Sequence, residues 1–124
     1  MNREILFRGK IKKNGEWSYG NLVTDIQGVR IITPDLTPIG IYGQVIPDTV
    51  GQYTGLNDAS GKKIFEGDIV NVNSEEIGQI EWFTEAARFM IVIDNIITDF
   101  DNYYGNELVV IGNVHDNPEL LEVE

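Results

Sequence analysis

Apolar positions along the chain come in short runs rich in Val, Ile, Tyr and Phe, interrupted by Gly, Asn and Asp. A helical repeat is nearly absent. Short β-branched and aromatic runs between turn formers are the signature of strands, because such side chains pack well on a pleated surface. Glu4–Ile11 alternates imperfectly and reaches Lys13-Asn14-Gly15-Glu16, where Asn-Gly tolerates positive φ and predicts a hairpin returning as Trp17–Val23. Gly28 introduces Val29–Thr33, ended by Pro34-Asp35. A looser stretch with Pro38 and Gly40 leads to Ile41–Ile46, which stops at Pro47 because proline has no N–H for a ladder. Gln52-Tyr53-Thr54-Gly55-Leu56 then enters Asn57-Asp58-Ala59-Ser60-Gly61, a turn by its chemistry.

The second half reads as a meander. Strands are predicted over Asp68–Asn73, Ile77–Phe83, Arg88–Asp94 and Glu107–Ile111, joined by Ser74-Glu75-Glu76 and Thr84-Glu85-Ala86-Ala87. The nearly continuous apolar run Phe89-Met90-Ile91-Val92-Ile93 predicts a strand buried on both faces. Ile96–Phe100 is expected to continue it past a kink at Asp94-Asn95. Asn117-Pro118-Glu119-Leu120-Leu121 predicts a short helical turn with Asn117 as N-cap and Pro118 at its first position. The fold class is all-β, with at most one or two short helical turns.

Composition narrows the functional classes. With 124 residues, 42% of them hydrophobic, the chain can bury a core as one domain without covalent staples. The absence of cysteine excludes a disulfide scaffold, a thiol nucleophile and thiolate metal sites. No apolar run approaches a membrane span, and Met1–Arg8 lacks the apolar stretch of a secretory signal, so a soluble intracellular domain is expected. The net charge of −11 is unevenly spread: residues 1–62 are nearly balanced, whereas residues 63–124 set only Lys63 and Arg88 against fourteen acids. Nucleic-acid binding needs cations to displace phosphate counterions, and only Arg3, Arg8, Lys10, Lys12 and Lys13 offer them together. Tight duplex binding is therefore not expected. The acidic half reads either as a solubilising surface or as a decoy mimicking DNA, or a dock for a basic partner.

Two segments carry more specific information. One is Gln52-Tyr53-Thr54-Gly55-Leu56 running through Gly61 to Ile64-Phe65-Glu66-Gly67-Asp68-Ile69-Val70. The other is Val110-Ile111-Gly112-Asn113-Val114-His115-Asp116-Asn117-Pro118-Glu119-Leu120-Leu121. With the opening Arg3-Glu4-Ile5-Leu6-Phe7-Arg8 and the link Val45-Ile46-Pro47-Asp48-Thr49-Val50-Gly51, they resemble the YopX family from Arg3 to about Glu122. The resemblance implies a bacteriophage or prophage setting, and hence the cytoplasm of a bacterial host. It also implies an SH3-like barrel core with an N-terminal β extension, the extension over 1–61 and the core with its C-terminal turn over 62–124. It brings no catalytic residues and no cofactor.

Within that frame, Glu66-Gly67-Asp68-Ile69-Val70 followed by Gly78-Gln79-Ile80-Glu81-Trp82 looks like the opening hairpin of a small barrel. Gly67 is expected at positive φ, with Asp68 bonding nearby backbone N–H groups. Gly78 is expected to permit a bulge in the second strand, and Leu56 with Ile64 to staple the preceding turn.

Candidate chemistry is sparse. His115, the single histidine, has Asp116 beside it as a general-base partner and Glu119 as a metal co-ligand. Asp94, Asp99 and Asp101, with Asn95 and Asn102, could gather oxygens for a hard cation, and Glu81 with Glu85 could form a carboxylate pair. No phosphate loop, nucleophile elbow or dinucleotide fingerprint occurs. A non-enzyme is expected, acting on a protein partner that is either a second copy or a phage or host protein, with the near-neutral N-terminal half as the contact. A nucleic-acid role by fold analogy is the alternative. Trp17, Tyr19, Tyr42, Tyr53, Phe65, Trp82, Phe83, Tyr103 and Tyr104 exceed what one small barrel must bury, so some pack under the extension or form a contact surface.

Overall fold

The computed structural model describes residues 4–26, 28–33, 41–99 and 107–121. Arg3, Asp101, Asn102, Tyr103 and Tyr104 lie outside them, as do Pro34, Asp35, Pro38, Gly40 and Phe100. The architecture is all-β: among the described residues, eleven strands lie in antiparallel sheets, with 3-10 turns at Pro47–Thr49 and Pro118–Leu121. Among the described residues no helix is long and apolar enough to cross a membrane. The chain divides into two compact units, Met1–Tyr53 and Thr54–Glu124.

In the first unit β1 (Phe7–Lys10), β2 (Trp17–Asp25), β3 (Gly28–Thr33), β4 (Ile41–Gln44) and the start of β5 (Gly51–Asn57) form a sheet ordered β4-β3-β2-β1-β5. The β1–β2 hairpin closes with Ile11 N–H donating to Glu16 O at 2.8 Å. Only Gly15 of the Asn-Gly pair is left-handed (φ 74°); Asn14 works through its side chain, whose Oδ1 accepts the Glu16 N–H at 2.9 Å. Ile31 and Val45 are buried at the centre of this unit. Pro47 does more than stop a strand, because it opens the 3-10 turn that delivers Thr49. The Thr49 Oγ1 accepts the Lys10 N–H at 2.9 Å and donates to Ile46 O at 2.6 Å.

In the second unit β7 (Asp68–Val72), β8 (Glu76–Phe83), β9 (Arg88–Ile93), β10 (Ile96–Asp99) and β11 (Leu108–Asn113) form a sheet ordered β10-β9-β8-β7-β11. β6 (Lys63–Phe65) lies beside β5, where Thr54 Oγ1 donates to Ile64 O at 2.8 Å. The core consists of Ile64, Val70, Val72, Ile80, Ile91, Ile93 and Leu108, with Phe89 and Val110 packed against it. Each such side chain contributes roughly 1.5–3 kcal/mol by leaving water.

Several expectations are corrected. The SH3-like barrel is not closed: β11 returns beside β7, and among the described residues β10 and β11 stand at the two ends of the sheet. β11 also bonds the Asp58 turn, through Ala59 N–H to Leu108 O and Val110 N–H to Asp58 Oδ2. Of the stretch Ile96–Phe100, the described part Ile96–Asp99 does not prolong β9. Asp94 (φ 50°) and Asn95 (φ 65°) are both left-handed, which makes a two-residue hairpin that sends Ile96–Asp99 back antiparallel along β9. β9 buries one face only, with Ile91 and Ile93 inward and Met90 and Val92 half-exposed outward. Gly78 makes no bulge. It pairs regularly with Val70 and Ile93, and a Cβ there would stand 2.6 Å from Ile91 Cγ2. The bulge lies in β11 instead, between Val110 and Gly112.

Candidate functional site

The two long sequence motifs meet as neighbouring strands. Glu66-Gly67-Asp68-Ile69-Val70 opens β7 and Ile111-Gly112-Asn113 ends β11, with Gly112 opposite Ile69 and Asn113 opposite Asp68. Gly67 is left-handed as expected (φ 90°); its N–H donates to Ile80 O and its carbonyl accepts from Val114 N–H. Asp68, fully buried, accepts the Phe65 N–H on Oδ2 at 2.7 Å. The helical turn forms over Pro118–Leu121 with Pro118 first, and Asn117 ahead of it accepts the Leu120 N–H on its carbonyl at 3.1 Å, while its Oδ1 accepts the Asn113 N–H at 3.3 Å. Gly112 leaves the room for this: a Cβ there would lie 2.7 Å from Asn117 Oδ1 and 2.9 Å from Leu120 Cδ1. Glu119 follows Pro118 in the turn. Gln52 pairs with Phe7, and Tyr53 N–H donates to Leu6 O. Gly55 and Gly61 are left-handed. Of the expected staple, Ile64 is fully buried while Leu56 is exposed.

Asp58 joins the motifs, and the sequence reading missed it as an anchor. The residue is 6% exposed. Its Oδ1 accepts from Ser60 N–H (2.9 Å), Ser60 Oγ (2.8 Å) and Lys62 N–H (2.9 Å), and its Oδ2 from Val110 N–H in β11 (2.9 Å). Burial pushes the Asp58 carboxyl up, but the donors from Val110, Ser60 and Lys62 outweigh it and hold the group below its ordinary 3.8. Asp-Ala-Ser-Gly-Lys signals the local turn; the donor fifty-two residues away has no sequence signal.

The candidates for chemistry sit on separate elements: His115, Asp116 and Glu119 follow β11, Asp94 and Asp99 belong to the β9–β10 hairpin, and Glu81 and Glu85 lie in and after β8. His115 is exposed, and its N–H donates to Asn113 Oδ1 at 3.0 Å, as does that of Asp116 at 2.9 Å. Asp99 is engaged by Arg88 across the β9–β10 hairpin. Glu81 lies within β8 and Glu85 in the exposed turn after it. Among the described residues no three His, Asp or Glu gather as a metal cage. Replacing His115 with alanine is expected to change stability by no more than about 0.5 kcal/mol, since the residue is exposed and surface changes are usually that small. Chemical denaturation checks this, and a loss beyond about 2 kcal/mol would show that the imidazole is an internal anchor.

Two surfaces stand out. In the first unit Trp17 lies under cations, the Arg8 guanidinium 4.6 Å and the Lys10 Nζ 5.8 Å from its ring centroid. In the second, the sheet face opposite the core carries Ile77, Met90, Val92, Ile97 and Val109 around Ile69, which is itself fully buried. Trp82 is exposed at the core-side margin and meets Phe89 edge-on at 5.0 Å.

These features define an all-β chain whose matching motifs build architecture around Asp58 and Asp68. The chain belongs to the YopX protein family, whose model matches residues 6–122. It is similar in fold to the crystal structure of protein EF1440 from Enterococcus faecalis, with a TM-score of 0.65 and 24% identity over 98% of this chain and 100% of that one. No curated protein matches it.

Proposed function

We propose that this chain is a non-catalytic phage or prophage accessory protein of the bacterial cytoplasm that acts by protein association, first of all with a second copy of itself. The outward face of the second sheet carries the reading. Antiparallel sheets with one solvated face ordinarily alternate apolar inward and polar outward. Here Ile77, Ile97 and Val109 point outward and are 40%, 51% and 43% exposed. Beside them, β10 pairs on one side only among the described residues, so its backbone offers an edge for another strand. A two-fold copy seated there would cover face and edge together, the commonest closed symmetry. Charge balance alone favours the near-neutral first half as the contact, but its exposed Ile5, Ile26 and Ile46 lie in connections rather than in a row across strands.

Copies this acidic repel one another, and salt screens that repulsion. Light scattering at tens of micromolar is therefore expected to give a mass above 13.9 kDa that rises with concentration. The rise is expected to be larger at about 300 mM salt than at about 20 mM, where the screening length is several times longer. A mass of 13.9 kDa at every concentration and both salts would refute self-association.

A further inference from the structure

The first unit carries a surface of different chemistry. Arg8 pairs with Tyr19 and Lys10 with Trp17, so all four side chains share one face of the sheet. Alternation along β2 brings Asn21 and Val23 to that face, and the register Val23 to Arg30 to Gln44 adds Arg30 and Gln44. Ile31 and Ser18, both buried, belong to the other face. From Trp17 to Val23 the track is about 20 Å long at roughly 3.3 Å per residue.

The parts have distinct roles. Arg8 is only 5% exposed and lies over the Trp17 ring, so it positions that ring. Tyr19 is 45% exposed. Lys10 and Arg30 are partly exposed, and Lys12 and Lys13 are exposed in the turn beyond Lys10. Glu16, the acid next to Trp17, is engaged by Asn14 Nδ2 at 3.4 Å.

We infer that this face binds single-stranded nucleic acid, with unpaired bases stacking on Tyr19 and Trp17 and phosphates meeting Lys10, Lys12, Lys13 and Arg30. Aromatic platforms combined with a track of cations are the general solution for single strands, because every base has a π-face and every nucleotide a charge. A duplex hides its base faces and would bring mainly phosphate charge to a chain of net charge −11. The stacking contribution therefore separates the two forms, and the inference agrees with the absence of tight duplex binding expected from charge.

The chain has two tryptophans, so Trp82→Phe leaves Trp17 as the reporter. Titrating that full-length variant with oligothymidylate of about 12 nucleotides, within the usual site size, at about 50 mM salt is expected to quench its fluorescence saturably. Half-saturation is expected at roughly tens of micromolar, weakening as salt rises. Tyr19→Ala is expected to weaken binding about fivefold or more, and Lys10→Gln to weaken it with a shallower salt dependence. Circular dichroism of both variants checks that the sheet is retained. The inference fails if no quenching occurs at about 50 mM salt. It fails equally if polyglutamate or a duplex of the same length competes as well as the single strand, or if folded Tyr19→Ala binds like its parent.

Discussion

Asp58→Ala is expected to lower stability by about 3 kcal/mol, one of the largest losses any single polar truncation here would cause. One carboxylate serves three backbone N–H groups, those of Ser60, Lys62 and Val110, and the last belongs to β11. Alanine leaves all three donors without their acceptor and removes a buried carboxylate from an otherwise exposed turn, and hydrogen bonds to a charged group are worth more than neutral ones. Asp58→Asn keeps one acceptor oxygen and should lose about half as much. Chemical denaturation at neutral pH checks both. The pH dependence has a definite sign. The folded carboxyl sits below its ordinary 3.8, so its contribution is complete above that range and is lost as pH falls through the lower folded value. The stability gap between the parent chain and Asp58→Ala should therefore be constant from about pH 5 to 7 and narrow on acidification below about pH 4.

Gly78→Ala is expected to cost about 2 kcal/mol, although it adds a single methyl group. The new Cβ would meet Ile91 Cγ2 at 2.6 Å and Ile93 Cγ1 at 3.2 Å. Ile91 is fully buried, and its Cγ2 is fixed on a β-branched carbon, so it cannot swing away as the end of a long side chain would. Either the β8–β9 ladder spreads or Ile91 leaves its rotamer. In the background Ile91→Ala the same substitution should cost much less, because the obstructing methyl is gone. That coupling, measured by a double-mutant cycle, identifies the cause as a clash rather than altered strand propensity.

Local chemistry was readable from the residues. The Asn14-Gly15 hairpin, the left-handed Gly67 and the β7–β8 meander all follow from short-range signals whose causes lie within a few residues. Long-range facts were not readable. Asp94-Asn95 looked like a kink because apolar residues resume immediately after it, yet two left-handed residues in succession reverse the chain. Gly78 carried the mark of a bulge, whereas its reason is a methyl group thirteen residues away on the next strand. The continuous apolar run of β9 suggested two buried faces, and the structure spends one of them on an exposed surface. Asp58 lay inside a recognised turn, but its decisive partner is in β11. The proposed surfaces depend on register in the same way: Ile77, Ile97 and Val109 share a face, and Tyr19 adjoins Arg8, only because of strand pairings that no spacing along the chain encodes.

Sedimentation equilibrium on Ile97→Lys/Val109→Lys beside Ile26→Lys tests the association through the outward sheet face most directly. All three positions are exposed, so each change should leave folding intact, but only the first two lie on that face. The account predicts that the double variant sediments at 13.9 kDa at concentrations where the parent chain and Ile26→Lys are both heavier. Equal masses for all three proteins would contradict it.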